Sequence, residues 1–188
     1  MIALVAPLLA ACAPVGAPAA GVADAVAWGK PYDAHNPFAR ILRGEIAVAK
    51  VYEDAHVLAF MDHAPASPGH VLVISKTSHA RNLLEMRDGE LRRLLKVARR
   101  IGRAEISGLG ADGFTIIQNN GYGQSVPHLH IHVLPRYAGY NRCPGSGERA
   151  SPAMLEPIAA RLRAALTADR GAAVPPKPAD DLPQQAGR

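Results

Sequence analysis

The chain has 188 residues, of which 48% are apolar and 20% charged, with a formal net charge of +5 at pH 7. This length and balance are typical of one globular domain with some tail, long enough to bury a core. Only 5% of the residues are aromatic, which argues against a platform that stacks the bases of single-stranded nucleic acid. Basic residues alternate with apolar ones at helical spacing over 91–103, so they form the solvated side of an amphipathic helix, and we expect no nucleic-acid partner.

The first twelve residues, "MIALVAPLLAAC", are apolar throughout. They are too few to span a bilayer, which takes about 20 residues, but they fit the apolar part of a secretory signal. The last four, 9–12, resemble the lipobox of bacterial lipoproteins, so Cys12 is a lipidation candidate through which the protein would attach to a membrane, facing the periplasm. No Lys or Arg precedes Lys30, so the usual basic start is missing. An alanine-rich extension of a cytoplasmic protein is the alternative.

Composition divides the rest of the chain into three parts. Residues 13–31 and 171–188 are crowded with Pro, Gly and Ala, which predicts a flexible linker and a disordered tail. Residues 32–170 carry the periodic apolar patterns of a folded domain. The two cysteines, Cys12 and Cys143, lie far apart and match no zinc-binding spacing.

The elements of the domain follow one another in an α+β order. "NPFARILRG" (36–44) predicts a short helix that Asn36 caps, and 47–54 and 56–62 predict a β-hairpin. A third strand over 67–75, a long helix over roughly 81–107 and a fourth strand over 112–119 come next. The strand around 128–134 is followed by a C-terminal helix over 151–169 with an apolar stripe. The fold class is therefore α+β, an antiparallel sheet of about five strands with one long helix, plus a C-terminal helix.

The segment "GQSVPHLHIHVLPR" (123–136) places His128, His130 and His132 at every second position. In a strand successive side chains alternate between faces, so the three imidazoles share one face and the apolar residues between them fill the other. A packed face would leave imidazoles buried without partners, so we expect the histidine face to look into a cleft or solvent.

Three interpretations compete for this row of histidines. Chance is the first, and zinc binding is the second. Zinc is disfavoured because parallel side chains converge poorly on one ion and because no Asp or Glu occurs between Asp112 and Glu148. The third is a phosphoryl or nucleotidyl site, favoured because glycines and neutral donors in "QNNGYGQSV" (118–126) could cradle phosphate oxygens while an imidazole attacks phosphorus.

"HLHIHVL" (128–134) resembles the signature of the histidine triad family, in which three histidines alternate with apolar residues. The likeness extends over roughly 36–136, where "NPFARILRGEI", "QNNG" and "GQSV" fall in the family's order. The third histidine, in place of glutamine, separates the chain from the galactose-1-phosphate uridylyltransferase branch and indicates the hydrolase branches.

The resemblance implies roles for the residues that match the family's pattern. His130 would be the nucleophile that forms a nucleotidyl-imidazole intermediate, His128 would orient it, and His132 would contact the phosphate or the leaving group. Ser125 would bind phosphate and protonate a leaving amine. These four residues are the predicted catalytic set.

The resemblance also implies a binding set for a purine nucleotide substrate. Asp62 would bind the ribose hydroxyls, Asn119 would lie at the phosphate with Gly123 and Gln124 in the loop beside it, and His70 would lie near the triad. The family needs no metal or other cofactor for its chemistry, and its members are typically homodimers that share a continuous sheet.

Several functions remain open at this point. A nucleoside phosphoramidate is preferred as substrate because Ser125 stands where amine-releasing relatives carry a hydroxyl. "HVLPR" (132–136) is equally close to the dinucleoside polyphosphate hydrolases. A non-catalytic nucleotide-binding module and a zinc-dependent hydrolase are the further alternatives. The chain departs from its relatives in the short loop around Tyr122 and in His63, either of which could change specificity.

Overall fold

The computed structural model describes residues 31–121, 123–138 and 147–169. These residues form three helices and five strands, in chain order α1 (Pro37–Leu42), β1 (Lys50–Glu53), β2 (Val57–Met61), β3 (Val71–Ser75), α2 (Asp88–Leu109), β4 (Gly113–Ile117), β5 (His130–Arg136) and α3 (Pro152–Ala168). The predicted signal segment, nearly all of the linker and the predicted tail lie outside the described residues.

The strands form one sheet in the order β1-β2-β3-β5-β4, and every neighbouring pair is antiparallel. The strand that carries the triad therefore lies between β3 and the edge strand β4. In the register of β3 with β5, His130 lies opposite Ile74 and His132 opposite Leu72, whereas Ile131 lies opposite Val73. The predicted α+β class, with five strands, a long helix and a C-terminal helix, is confirmed.

The helices α2 and α3 cover one face of the sheet, which we call the helix face. Its buried cluster includes Ile131 and Val133 from β5, Ile101 from α2 and Leu162 from α3. Gly108 lets the two helices approach closely, because a Cβ there would lie 2.8 Å from the Cβ of Ala165. The predicted C-terminal helix thus docks through its apolar stripe.

The short helix α1 covers the opposite face, which we call the histidine face. Asn36 caps it as predicted, since its side-chain oxygen accepts from the backbone N–H groups of Phe38 at 2.9 Å and Ala39 at 3.0 Å. The helix buries Phe38 in a small cluster on this face. The members of that cluster are Phe38, Leu58, Phe60, Leu72 and Ile74.

The long helix begins at Asp88 rather than near Arg81, so the sequence-based start was wrong by about two turns. Residues 81–87 form a loop because side chains capture its backbone: Asn82 accepts from the N–H of Leu84, and Asn120 accepts from the N–H of Leu83. The helix ends where expected for a glycine cap, with Gly110 at φ 72°. Within the described residues, no helix is both long and apolar enough to cross a bilayer.

Candidate active site around the histidine row

The three histidines are buried, with 1% of His128, 3% of His130 and 7% of His132 exposed. The rings are therefore largely covered rather than open to solvent, and the expectation that their face looks into a cleft stays a prediction. The ring of Phe38 on α1 lies edge-on to His130, with ring centroids 5.0 Å apart, and edge-on to His128 as well. His128 precedes the first residue of β5, so two of the three histidines lie within the strand itself. Each ring has at least one polar partner, which is why burial is tolerated.

His130 is held in one tautomer by the backbone before it. Its Nδ1 lies 2.8 Å from the carbonyl oxygen of His128, and because a carbonyl only accepts, Nδ1 must carry the proton. The lone pair is then on Nε2. Burial lowers the pKa of His130, so the ring is neutral and its Nε2 can act as a nucleophile at pH 7.

His128 contacts a residue far away in the sequence. The hydroxyl of Tyr32 lies 2.7 Å from its Nδ1, and 96 positions separate the two residues. Burial is the main cause that lowers the pKa of His128 to about 4, and the backbone of Ser75 raises it in part. Nε2 of His128 has no hydrogen-bond partner among the described residues.

His132 and His70 form a second pair, with Nδ1 of His132 2.9 Å from Nε2 of His70. The N–H of Ala66 donates to Nδ1 of His70 at 3.2 Å, so that nitrogen is unprotonated and His70 donates through Nε2. It follows that His132 carries its own proton on Nε2. Burial is the main cause that lowers the pKa of both rings to about 3, so both are neutral at pH 7.

Asp62 places a carboxylate beside this pair. Its Oδ1 accepts from the N–H of Ala64 at 2.9 Å, and its Oδ2 lies 3.4 Å from Nδ1 of His70. Only 7% of the residue is exposed. Its charge acts to raise the pKa of His130 and of His132, against the larger effect of burial. The structure thus brings together five of the predicted site residues: His70, His128, His130, His132 and Asp62.

The predicted phosphate loop needs its glycines, because Gly121 and Gly123 have φ of 75° and 84°. The side chain of Gln124 is engaged within the protein. Its amide donates to the carbonyls of Arg81 and of Val126, and its oxygen accepts from the N–H of Gly121 at 3.3 Å. Gln124 therefore shapes the loop, and its predicted contact with the nucleotide stays a prediction.

The other predicted loop residues keep their side chains available. Ser125 is exposed and Asn119 is half-buried, and no hydrogen bond joins either side chain to the triad in the described part of the chain. The loop is connected to the histidine face through Val126, which packs against the Phe38 cluster. Tyr122, on which the shortness of the loop depends, and Cys12 lie outside the described residues.

One group in the site could hold a metal ion. Asp62, His70 and His132 each offer a ligand atom, and these atoms lie within 4.8 Å of one another. Carboxylate and imidazole suit zinc. However, Nδ1 of His70 already accepts from Ala66, and its Nε2 already pairs with His132. An ion bound here would have to displace at least one of these hydrogen bonds.

The sequence did not identify two residues that contact the triad, Tyr32 and Phe38, or the residue His79 that stacks on Tyr32. Phe38 was predicted only as part of a helix, and Tyr32 and His79 were given no role. The rings of Tyr32 and His79 stack with centroids 4.5 Å apart. The one available signal was Tyr32 itself, a scarce aromatic residue four positions before a helix cap.

Comparisons with known proteins agree with this geometry. The sequence profile of the HIT domain matches residues 43–139. A Hit-like protein from Bartonella henselae is 40% identical, with a TM-score of 0.68 that covers 72% of this chain and 99% of that chain. A Zn-bound histidine triad family protein from Mycobacterium smegmatis is 36% identical, with a TM-score of 0.60, covering 70% of this chain and 92% of that chain. The adenosine 5'-monophosphoramidase hnt1 of Schizosaccharomyces pombe is 37% identical over 53% of this chain and 72% of its own length. The chain belongs to the histidine triad family.

Proposed function

We propose that this protein hydrolyses nucleoside phosphoramidates or related AMP-X compounds at the α-phosphorus, through a nucleotidyl intermediate on His130. The observation that carries this proposal is the tautomer of His130. Its Nδ1 proton is fixed on the His128 carbonyl, and burial keeps the ring neutral, so Nε2 has a free lone pair. The relative from Schizosaccharomyces pombe is named as an enzyme of this kind.

The reaction would proceed in two displacements. Nε2 of His130 attacks the phosphorus, an N–P bond forms, and the bond from phosphorus to the leaving nitrogen breaks. The leaving amine takes a proton, from the Ser125 hydroxyl as the resemblance implies or from Nε2–H of His132. Water then attacks the phosphorus, the N–P bond to His130 breaks, and AMP leaves while the proton of water returns to the donor. The hydrogen bond from Nδ1 to the His128 carbonyl strengthens when the ring becomes positively charged in the intermediate.

The first experiment tests the nucleophile and the leaving group together. The full chain is incubated with an adenosine phosphoramidate and, separately, with a diadenosine polyphosphate, and AMP release is followed. His130→Ala should lose more than about a thousandfold in kcat, as expected when a covalent nucleophile is removed. His56→Ala is the matched control, because His56 is exposed at the turn between β1 and β2. It should retain the activity of the unaltered protein.

The outcomes separate the alternatives. Release from the phosphoramidate alone supports the proposed substrate class, and release from the polyphosphate alone favours the other hydrolase branch. Mass spectrometry of rapidly quenched protein should find one nucleotidyl group, lost in His130→Ala. Tight nucleotide binding without turnover of either compound would indicate a non-catalytic binding module and contradict the proposed enzyme.

A zinc-dependent hydrolase is the second candidate function. It is favoured by the arrangement of Asp62, His70 and His132 and by the similarity to the Mycobacterium smegmatis protein, which is a Zn-bound family member. The same assay distinguishes it, because chelation with EDTA would abolish AMP release and added zinc would restore it. We expect activity that is insensitive to EDTA, since the ring nitrogens of His70 are already engaged.

We propose that the protein is a homodimer paired through β4. This strand lies at the edge of the sheet and exposes 36% of Phe114 and 40% of Ile116. Exposed apolar side chains on an edge strand favour pairing with another strand, and a two-fold axis would make the sheet continuous. Ile116→Lys should give a monomer by light scattering, whereas Met154→Lys, an exposed residue at the start of α3, should not. A monomeric unaltered protein would contradict the proposal.

We propose, finally, that Cys12 attaches the protein to a membrane. Support comes from the apolar run that ends in the lipobox-like residues 9–12. Cells that express the full chain would be labelled with a palmitate analogue. Cys12→Ser should abolish the label and Cys143→Ser should keep it. An unlabelled unaltered protein would favour the cytoplasmic alternative.

A further inference from the structure

We propose that Tyr32, which lies outside the histidine row, is a positioning residue for the nucleophile His130 and acts through His128. This inference rests on the proposed function of His130. The hydroxyl of Tyr32 lies 2.7 Å from Nδ1 of His128. The carbonyl of the same His128 accepts from Nδ1 of His130 at 2.8 Å. Tyr32 and His130 are therefore linked through a single residue, by its side chain on one side and its backbone on the other.

The hydrogen bond between Tyr32 and His128 joins a hydroxyl, which can donate, to a ring nitrogen, which accepts when it is unprotonated. In the proposed arrangement the Tyr32 hydroxyl donates to Nδ1 of His128, and the proton of the His128 ring is on Nε2. Burial raises the pKa of Tyr32, which keeps the phenol protonated and able to donate.

Tyr32 is held in place by the turn that follows it. The carbonyl of Asp33 accepts from the N–H of Asn36 at 3.3 Å and from its side-chain amide at 2.6 Å. The carboxylate of Asp33 accepts from the N–H of His35 at 2.7 Å. Asn36 in turn caps α1, which carries Phe38 onto His130. Residues 32–38, which we call the N-terminal clamp, thus touch two of the three histidines.

The clamp contacts the ring of His128 at two places. The Tyr32 hydroxyl holds Nδ1, and the ring of Phe38 lies edge-on to the ring of His128 with centroids 5.9 Å apart. The ring of Tyr32 is itself stacked on His79 at an interplanar angle of 10°. With the hydroxyl removed, Nδ1 of His128 would be a second buried nitrogen without a partner, because Nε2 already has none among the residues described. His128 would then shift or change tautomer, and the carbonyl that orients His130 would move with it.

A positioning role has a kinetic signature that a contact with substrate does not share. Tyr32 acts on the reacting geometry and not on the nucleotide, so its loss should lower kcat and leave KM unchanged. Tyr32→Phe keeps the stacking on His79 and removes only the hydroxyl. We expect kcat to fall about tenfold. Leaving a buried nitrogen unpaired costs free energy, so His128 should move, and a nucleophile that is slightly misplaced reacts more slowly.

The test compares Tyr32→Phe with Tyr52→Phe in the full-length protein. Tyr52 donates a hydroxyl hydrogen bond of the same length, 2.7 Å, to Asp54 in the β1–β2 hairpin, so this variant loses the same group elsewhere. AMP release gives kcat and KM, and thermal unfolding reports stability. A tenfold loss of kcat with unchanged KM in Tyr32→Phe only, at similar melting temperatures, supports the inference. Unchanged kcat, or a change in KM alone, overturns it.

A spectroscopic measurement keeps the test independent of activity. The Nδ1–H proton of His130 is observable by NMR because it is hydrogen-bonded, and ¹⁵N shifts report the tautomer of His128. We expect Tyr32→Phe to move the Nδ1 nitrogen of His128 toward the position of an unbonded lone pair and to shift or broaden the His130 proton. If the unaltered protein released no AMP, the proposed function would fail, but these shifts would still show whether Tyr32 is coupled to His130 through His128. An unchanged His130 proton would overturn it.

Discussion

The two faces of the sheet are buried by different means. Among the residues that the structure describes, twenty-two buried apolar residues form the cluster on the helix face, whereas the cluster on the histidine face has five, one of them supplied by the six-residue helix α1. The helix face is packed hydrocarbon, which supplies most of the favourable burial. The histidine face encloses imidazoles that are each held by one or two hydrogen bonds. The apolar core that stabilises the fold and the histidines of the candidate site thus lie on opposite faces of the same sheet.

The difference shows how a histidine can be kept reactive. Burial lowers the pKa of all three triad histidines and of His70, so a neutral lone pair is available well below pH 7. The same burial lowers the stability of the fold at acidic pH, because the unfolded chain binds protons on these rings that the folded protein does not. Four changes should separate the contributions of the two faces.

The largest effect should come from acid, and it should act through the histidine face. His70 and His132 have a pKa of about 3 and His128 of about 4 in the folded protein, against an ordinary 6.5. Between pH 6.5 and 5 the unfolded chain therefore binds up to three more protons, so the free energy of unfolding should fall as pH falls. The slope should reach roughly 4 kcal/mol per pH unit at most. Urea unfolding at several pH values measures it, and a flat profile would contradict the burial of these rings.

The second effect should be confined to the helix face. Leu162 on α3 is fully buried in its cluster, so Leu162→Ala should lower the free energy of unfolding by about 2–5 kcal/mol. The active site is on the other side of the sheet, so kcat measured well below the melting temperature should stay within about twofold. A large loss of kcat without a loss of stability would show that the faces are coupled.

The third change tests the cover of the histidine face. Phe38→Leu removes the edge contact with His130 and should lower kcat several-fold, with about 1 kcal/mol of stability lost. Phe60→Leu is the matched control, because Phe60 also packs against Phe38 but has no ring contact with a triad histidine in the described chain. Equal kcat losses in both variants would mean that packing in general, rather than contact with the nucleophile, sets the rate.

The smallest effect should be a gain in stability on the helix face. Glu105 on α2 is fully buried, neither of its carboxylate oxygens has a partner in the described regions, and burial raises its pKa. Glu105→Leu should raise the free energy of unfolding by about 1–2 kcal/mol. The gain should be larger at pH 8 than at pH 5, because a raised pKa means that the native carboxyl loses stability as pH rises. The exposed Glu148→Leu should change little, and a destabilised Glu105→Leu would reveal a role for the carboxyl.

What could be predicted from the sequence follows from local periodicity. The alternation in 128–134 placed the apolar residues between the histidines on the core side, and Asn36 before Pro37 identified a capped helix. The start of the long helix was wrong because Asn120, from a distant loop, takes part in holding 81–87 out of the helix. A helical pattern carries no information about such a competitor.

The candidate site also has a part that could be predicted from the sequence and a part that could not. The triad was indicated by its alternation, and His70 and Asp62 were implied by the resemblance to the histidine triad family; the five residues do lie together. The burial of the histidine face could not be foreseen, because it depends on the contact of Tyr32 with His128 and of Phe38 with His130. Contacts across some ninety residues leave no periodic trace in the sequence. Gln124 was likewise predicted to lie beside the phosphate, whereas its side chain makes hydrogen bonds within the loop, with Gly121 and Val126.

The N-terminal clamp has a consequence for where the working unit begins. The sequence profile of the HIT domain matches residues 43–139, and Tyr32, Asn36 and Phe38 all precede that match. A fragment trimmed to the matched region would keep the triad, His70 and the predicted phosphate loop. It would nevertheless expose the imidazoles that the clamp covers, and their pKa values would return toward that of free histidine. The part of the chain that encloses the histidines is therefore longer than the part that the profile matches.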